Sequence, residues 1–362
     1  MIPSSDYYAE EYENENRFIL LKCKKAKNKK KEEKTMKKLL ALVLAAIMSI
    51  SLVACSGGTT SETTETKIKV GILQQLEHVA LDQSREGFVQ ALADNGYVDG
   101  ENMVLDIQNA QSDQSNLQTM SERLVNKENQ LILAIATGAA QTVAGKTKDI
   151  PILITAVTDP VDAGLADSME KPGTNVSGTS DASPMAEQID LMLQLCPGVK
   201  TVGLMYTSSE DNSVLQINQM KAILDDKNLE YVEQTVTNSN DVQQATQSLV
   251  TKCDAIYIPT DNVLASSMAL VGVVANEAKV PVICGEAGMV ESGGFATIGI
   301  DYYNLGYQTG EMAVKVLEGA DVSTMPIETQ KDFAYTINGN VAEALGIEIP
   351  AELQEFVINP AA

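Results

Sequence analysis

The sequence predicts an α/β protein of two lobes, each a doubly wound parallel sheet. Three observations lead to this fold class. Short apolar, β-branched runs alternate with segments of helical periodicity. That alternation restarts near residue 184, so two units of similar size follow one another. The chain has 362 residues, 44% of them hydrophobic, which is enough to give each unit a buried core.

The first half of the domain reads as strands separated by helices. Apolar runs predict strands at residues 68–74, 103–108, 131–136 and 151–157. The helical segments between them fall at 84–95, 117–127 and 138–147. The run at 131–136 has no polar residue, which is typical of a strand covered on both faces of a parallel sheet. A β-α-β-α order of this kind favours a doubly wound sheet.

The second half repeats this order after a helix at residues 184–195. Strands are predicted at 201–206, 231–236, 255–259, 280–284, 295–300 and 333–338. Helices are predicted at 212–227, 242–251, 263–278, 305–319 and from 341 onward. The two halves share no close sequence repeat, so the duplication is one of structure.

The N-terminal segment has the pattern of an export signal. A short basic start at Met36 leads into an apolar run that ends at Val53, followed by Ala54, Cys55 and small polar residues. The run is short for a membrane span and ends in small residues, as secretory signals do. Small residues followed by Cys55 resemble the lipobox of bacterial lipoproteins. We therefore expect a signal peptide at 36–54 and a lipidated Cys55 with a flexible tether over 55–66; an uncleaved signal anchor is the alternative.

Residues 1–35 fit neither the signal nor the domain. They are rich in lysine, and signal peptides normally begin at a methionine such as Met36. The segment from Lys31 to Lys34 is also what a purine-rich ribosome-binding sequence would encode if it were translated. We expect Met36 to be the true start and 1–35 an upstream misassignment; a cytoplasmic extension is the alternative.

The composition disfavours several function classes. A net charge of −23 argues against nucleic-acid binding, which needs cationic side chains to neutralise phosphates. The chain has no Trp and one His, so aromatic stacking platforms are scarce and a multi-histidine metal site is impossible. Glycine-rich nucleotide loops and nucleophile elbows do not occur. We expect no cofactor, no metal and no catalytic residue.

Polar residues follow nearly every predicted strand, where ligands bind in open α/β sheets. Thr137, Ser208 and Ser209 precede helices, whose N-terminal N–H groups can hold a carboxylate. Asp261 or Glu286 could face an ammonium group. Together these groups suit an amino acid. Helix capping is the alternative interpretation, since Ser, Thr and Asp are also the usual N-caps.

Several segments then carry a specific resemblance to a known family. They are VGILQQLEHVALDQSREGFVQAL at 70–92, TAVTDPVDAGL at 155–165, NVSGTSD at 175–181, LMYTSSEDNS at 204–213, YIPTDN at 257–262 and GIDYYNLGYQTGEMAVKVLEG at 299–319. With the lipobox, they resemble the tryptophan/tyrosine-type substrate-binding lipoproteins of ABC transporters. The resemblance covers residues 67–347.

That resemblance implies a type I periplasmic-binding-protein fold, with two lobes joined by three crossovers. The crossovers are expected near 177–180, 284–287 and 324–328. Lobe one is then 67–178 plus 286–325, and lobe two is 179–285 plus 326–362.

The resemblance also implies a function and a site. We expect an exported, lipid-anchored monomer that captures an aromatic amino acid and delivers it to a membrane permease driven by a separate ATPase. A branched-chain amino acid, a nucleoside or a small peptide as ligand, or a sensing role, is the alternative. Asp159 joins the candidates for the ammonium. The expected ligand-binding residues are Gln75, Glu77, His78, Thr137, Gly138, Ala139, Asp159, Ser208, Ser209, Asp261, Asn262, Glu286 and Tyr302.

Overall fold

A computed structural model describes residues 67–361 of the chain. The expected signal peptide, Cys55 and its tether lie outside the described residues, as do residues 1–35. Between residues 67 and 361, no helix is both long and apolar enough to cross a membrane.

The described residues alternate between strands and helices, as the sequence predicts. The strands are β1 (Ile68–Gln74), β2 (Met103–Asn109), β3 (Leu131–Ile135), β4 (Ile152–Val157), β5 (Val176–Ser180), β6 (Thr201–Thr207), β7 (Glu230–Val236), β8 (Ala255–Ile258), β9 (Val282–Cys284), β10 (Ala296–Gly299), β11 (Glu328–Thr329), β12 (Ala334–Asn338) and β13 (Val357–Ile358). The helices are α1 (Val79–Asp94), α2 (Gln114–Asn126), α3 (Thr137–Ala144), α4 (Met185–Leu195), α5 (Asp211–Asp226), α6 (Val242–Leu249), α7 (Asn262–Ser266), α8 (Met268–Glu277), α9 (Ala287–Glu291), α10 (Tyr302–Leu317) and α11 (Gly339–Leu345).

Lobe one is built on a parallel sheet with the strand order β11-β5-β4-β3-β1-β2. Successive residues of β3 point to opposite faces of this sheet, and all of them are buried. Leu131 and Leu133 pack with α1 and α10, while Ile132 packs with α2 and α3. The helices therefore cover both faces, which explains why the sequence shows an unbroken apolar run here.

Helices α1 and α10 approach each other closely because glycines replace side chains at their contact. A Cβ added at Gly306 would lie 1.9 Å from the Ser84 carbonyl oxygen, and one at Gly87 would lie 2.0 Å from that of Tyr303. Only glycine allows backbones to meet at this distance. The contact ties the chain's return segment, after β10, firmly onto lobe one.

Lobe two is built on a sheet with the strand order β13-β12-β10-β9-β8-β6-β7. Its strands run parallel except that β12 is antiparallel to β10. Tyr257 and Ile283 face α4 and α5, while Ile256 and Val282 face α6 and α8. This lobe is also covered by helices on both faces, so the predicted fold class of two doubly wound lobes is confirmed.

The three crossovers lie later in the chain than predicted. Residues 179 and 180 belong to β5 in lobe one, because Thr179 and Ser180 pair with β11. Strand β10 belongs to lobe two, because it pairs with β9 and β12, so the second crossover follows Gly299 rather than Cys284. The short helix α9 returns to the same sheet instead of leaving it. The third crossover follows β11, not residue 325, because Glu328 still pairs in lobe one.

Candidate functional site

The carboxyl ends of both sheets meet at a cleft that contains two adjacent cavities. The outer cavity has a volume of about 690 Å³ and opens to solvent. The inner chamber has a volume of about 10 Å³, roughly the space of one water molecule. We define the outer cavity by Gln75, Leu76, Leu117, Thr137, Gly138, Ser209, Glu210, Asn212 and Val263. We define the inner chamber by His78, Leu81, Ala156, Asp181, Asn212, Thr260, Asp261, Asn262, Glu286, Met289 and Tyr302.

The two lobes touch each other across this cleft. The Nε2 atom of His78 in lobe one lies 3.2 Å from Oδ1 of Asn262 in lobe two. The hydroxyl oxygens of Thr158 and Thr260, one from each lobe, lie 3.3 Å apart. All four side chains follow the carboxyl ends of strands β1, β4 and β8. The cleft is therefore in a closed arrangement.

Two alanines with unusual backbone conformations lie at or next to the strand ends that border the cleft. Ala136 ends β3 with φ of 80°, and Ala156 interrupts the pairing of β4 with φ of 55°. A non-glycine residue at positive φ stores strain and is often found at a functional site. Ala136 precedes α3 and turns the N-terminus of that helix, with Thr137 and Gly138, toward the outer cavity.

Asp261 and Glu286 are buried, but hydrogen bonds from the protein already use their oxygens. Asp261 accepts from the backbone and hydroxyl of Thr207 and from the backbone of Leu264. Glu286 accepts from the backbone N–H groups at the start of α9. Burial raises the pKa of Glu286 to about 7. Both residues cap short helices, as the alternative interpretation of the sequence held, and they also line the inner chamber.

Asp181 differs from these two carboxyl groups because one of its oxygens is free. Its Oδ2 accepts a hydrogen bond from the Tyr302 hydroxyl at 2.6 Å. Its Oδ1 has no partner within residues 67–361, although the side chain is buried. Burial raises the pKa of Asp181, and the bond from Tyr302 opposes that shift. The inner chamber therefore contains an acceptor without a donor.

Glu210 is a second buried carboxyl group with one free oxygen. Its Oε2 accepts from the backbone N–H of Asn262 at 3.0 Å and from the side-chain amide of Asn262 at 2.8 Å. Its Oε1 has no partner in the described part of the chain. Burial, together with the nearby Asp261 carboxylate, raises the pKa of Glu210. Glu210 thus fixes the side chain that contacts lobe one.

His78 is the only histidine of the chain and it lies at the inner chamber. Burial lowers its pKa to about 4, so the ring is neutral at physiological pH. While Nε2 faces Asn262, Nδ1 is buried and lacks a partner in the described region.

The structure brings nine of the predicted ligand-binding residues to the cleft. They are Gln75, Thr137, Gly138 and Ser209 at the outer cavity and His78, Asp261, Asn262, Glu286 and Tyr302 at the inner chamber.

The remaining four predicted residues line neither cavity. Glu77 is exposed to solvent, and Ala139 is fully buried in the core of lobe one. Asp159 accepts from backbone N–H groups of its own turn. The Ser208 hydroxyl donates to the Val236 carbonyl oxygen. We therefore leave these four residues out of the site.

Sequence reasoning missed Asp181, Glu210 and Asn212. Asp181 follows β5, whose sequence VSGTS has one apolar side chain and so lacks the apolar run by which the other strands were found. Glu210 occupies the N-cap position of α5, where an acidic residue reads as an ordinary cap. Burial, which distinguishes these residues, is not visible in the sequence.

The described residues offer little for catalysis. They hold no group of side chains arranged for a metal ion. Cys196 and Cys253 are free thiols, and burial raises the pKa of each to about 11, so neither is a ready nucleophile.

Comparisons with known proteins agree with this geometry. Over residues 69–357 the sequence matches the family described as ABC transporter substrate binding protein. A "Tyrosine-binding protein" of Clostridioides difficile is 43% identical over 318 residues, which are 85% of this chain and 92% of that protein.

Two solved structures allow the cleft to be compared with a ligand-bound relative and with an open one. An ABC domain from Streptococcus pneumoniae in complex with L-Trp is 38% identical, with a TM-score of 0.78 over 81% of this chain and all of the other. A ligand-free, open substrate-binding protein with adhesive properties from Clostridium difficile is 47% identical over the same shares, yet its TM-score is 0.64. The lower overlap with an open relative agrees with the closed cleft seen here.

The two-lobed fold, the cleft between the lobes and the match over residues 69–357 lead to one conclusion. The family consists of solute-binding proteins rather than enzymes. This chain belongs to the ABC transporter substrate-binding proteins and has the type I periplasmic-binding-protein fold.

Proposed function

We propose that this protein captures an aromatic amino acid in the cleft between its lobes and delivers it to a membrane permease. The observation that carries the proposal is the closed cleft, in which each lobe supplies buried polar groups around a shared space. A relative 43% identical is named for tyrosine binding, and a structure 38% identical holds L-Trp. Both ligands are aromatic amino acids.

The cleft has separate environments for the parts of such a ligand. The N-terminus of α3, with Thr137 and Gly138, offers a partial positive charge to the ligand's carboxylate, and Ser209 adds a hydroxyl from lobe two. Leu76, Leu117 and Val263 give the outer cavity apolar surface for an aromatic ring. The acidic inner chamber suits the ammonium group. Because both lobes touch the ligand, binding favours the closed form over the open one.

Titration calorimetry with purified protein tests this proposal. We expect L-tyrosine or L-tryptophan to bind much more tightly than L-leucine, adenosine or a tripeptide. At a hundred times the dissociation constant, the ligand should stabilise the fold by about 2.7 kcal/mol, which a thermal melt can detect. Binding of adenosine or the tripeptide with no response to any amino acid would overturn the proposal.

Two neighbouring serines provide a matched pair of variants. Ser209 lines the outer cavity, whereas Ser208 does not line it and its hydroxyl donates to the Val236 carbonyl oxygen. We expect Ser209→Ala to weaken amino-acid binding about tenfold, the loss of one good hydrogen bond. Ser208→Ala should leave the affinity unchanged. Equal effects of both changes would contradict the assigned position of the carboxylate.

A short peptide is the second candidate ligand. The outer cavity, at about 690 Å³, has room for more than one residue. A dipeptide with an N-terminal tyrosine distinguishes the two ligands in the same calorimetric assay. Tighter binding of the dipeptide than of tyrosine would favour the peptide.

We also propose that the protein acts as a lipid-anchored monomer outside the cell membrane, with a separate ATPase driving its permease. The support is the sequence pattern at 36–54 and Cys55, which lies outside the described residues. Cys55→Ser should abolish labelling by radioactive palmitate and release the protein from the membrane fraction. Retained labelling would exclude Cys55 as the anchor. A peptide from residues 1–35 in the unprocessed precursor would exclude Met36 as the start.

A further inference from the structure

We propose that His78 and Asp181 bind the ligand's ammonium group, and that Asn262 of the opposite lobe holds His78 in the tautomer this requires. The inference rests on the proposed amino-acid ligand and names the atoms that recognise its amine. It assigns this role to two side chains of lobe one and makes it depend on a contact with lobe two.

The first step is the orientation of the Asn262 amide. Its Nδ2 donates to Oε2 of Glu210 at 2.8 Å, and its backbone N–H donates to the same oxygen at 3.0 Å. The backbone bond marks this oxygen as an acceptor, so it attracts the side-chain N–H of Asn262 and would repel the amide oxygen. Glu210 therefore forces the Asn262 Oδ1 atom to face lobe one.

The second step is the tautomer of His78. Because Oδ1 of Asn262 can only accept a hydrogen bond, the Nε2 atom 3.2 Å away must carry the proton. Burial lowers the pKa of the ring and keeps it neutral, although the hydrogen bond with Asn262 and the nearby Asp82 carboxylate act in the opposite direction. A neutral imidazole with hydrogen on Nε2 has an unshared electron pair on Nδ1. That atom is buried and lacks a donor among residues 67–361.

The third step is a match of hydrogen-bonding type and size. His78 Nδ1 and Asp181 Oδ1 are two acceptors without donors, and both residues line the inner chamber. The chamber has space for a group about as large as one water molecule. An ammonium group has this size, carries three N–H donors and no acceptor, and neutralises the Asp181 charge. Asp261 and Glu286 complete an acidic surrounding, but their oxygens already accept protein hydrogen bonds.

Closure of the cleft is therefore linked to recognition of the ligand's amine. In an open cleft Asn262 moves away with lobe two. The ring proton of His78 can then lie on either nitrogen. Only the closed cleft fixes the Nδ1 acceptor. Glu210 and Asn262 are therefore positioning residues, and the closed form is the one that recognises a free amine.

The single histidine allows a direct spectroscopic test on the unaltered protein. Nitrogen-15 labelling of histidine, in protein without a histidine tag, gives signals from this one ring. In the complex with the amino acid that binds most tightly, we expect Nε2 to show the shift of a protonated nitrogen and Nδ1 that of an unprotonated one. A protonated Nδ1 in the complex would overturn the proposal.

Calorimetry supplies the second test. An analogue that keeps the ring and carboxylate but has a hydroxyl in place of the amine should bind at least about a hundredfold more weakly. Asp181→Asn should weaken binding of the amino acid at least about tenfold, while Asp159→Asn, in a surface turn, should not. Asn262→Ala should give a mixture of His78 tautomers and about tenfold weaker binding.

These outcomes separate the inference from the proposed function. If no amino acid binds the wild-type protein, the proposed function itself fails. If an amino acid binds but its deaminated analogue binds as well, or Asp181→Asn has no effect, only the ammonium assignment fails.

Discussion

Replacing Glu286 by glutamine should change how the protein's stability depends on pH. Glu286 lies at the base of α9 with 2% of its surface exposed, and burial raises its pKa from the ordinary 4.5 to about 7. In the unfolded chain this carboxyl group ionises near pH 4.5, whereas in the folded protein it keeps its proton until about pH 7. As the pH rises from 4.5 to 7, ionisation of this group therefore stabilises the unfolded state relative to the folded one.

The size of the effect follows from the shift. One unit of pKa corresponds to about 1.4 kcal/mol, so the shift at Glu286 is worth about 3 kcal/mol. Protonation of Glu286 stabilises the folded protein by this amount relative to high pH; the contribution is fully present below pH 4.5 and is lost as the pH rises through 7. Glu286→Gln carries no titrating group, so its stability should lack this part of the decline. Glutamine keeps the length of the side chain and an oxygen to accept from the start of α9.

Urea unfolding at half-unit intervals from pH 4.5 to 8 measures the prediction. The free energy of unfolding of the wild type should fall by about 3 kcal/mol more than that of Glu286→Gln across this range. Glu277→Gln is the control, because Glu277 is exposed at the end of α8. Parallel profiles for the wild type and Glu286→Gln would show that Glu286 does not have a raised pKa in the folded protein.

Three further changes test the packing and strain around the cleft. Ala136→Gly should raise the free energy of unfolding by about 1 kcal/mol, because glycine relieves the strain at φ of 80°; a loss of stability in urea unfolding would contradict this. Gly306→Ala should lower the free energy of unfolding by about 3 kcal/mol, because the added Cβ meets the Ser84 carbonyl. Gly198 has open space around it, so Gly198→Ala should change the free energy of unfolding by less than about 1 kcal/mol. Tyr302→Phe removes the hydroxyl that bonds to the buried Asp181 carboxylate, and it should lower the free energy of unfolding by about 2 kcal/mol. Calorimetry should also show weaker amino-acid binding. Unchanged values in both assays would be evidence against that bond.

Much of the fold was predictable because burial on both faces leaves a mark in the sequence. Strands β1, β3 and β4 are apolar runs, and their helices show a clear period. Strand β5 was missed because most of its buried side chains are hydroxyls, which bond to neighbouring elements. Thr179, for example, bonds to Thr155 of β4 at 3.2 Å and to Thr309 of the return segment at 2.8 Å. The crossovers were misplaced for a related reason: a short polar loop before α9 looks the same whether it leaves the sheet or returns to it.

The sequence predicted which loops form the site, but it did not predict the role of each residue in them. A polar residue at a strand end signals the cleft, and nine of the thirteen predicted residues line it. The sequence cannot show which carboxylates are already satisfied. Asp261 and Glu286 looked like ammonium ligands, yet each is bonded to its own helix start. Asp181, with a free oxygen, is distinguished only by the packing of the folded chain.

A crystal structure of the protein with L-tyrosine or L-tryptophan would show directly how the ligand is held. We expect one amino acid between the closed lobes, with its amine in the inner chamber next to Asp181 and His78 and its carboxylate at the N-terminus of α3. An amino acid bound on the outer surface of either lobe, or one in the cleft with its ring in the inner chamber and its amine in the outer cavity, would show that the assigned binding mode is wrong.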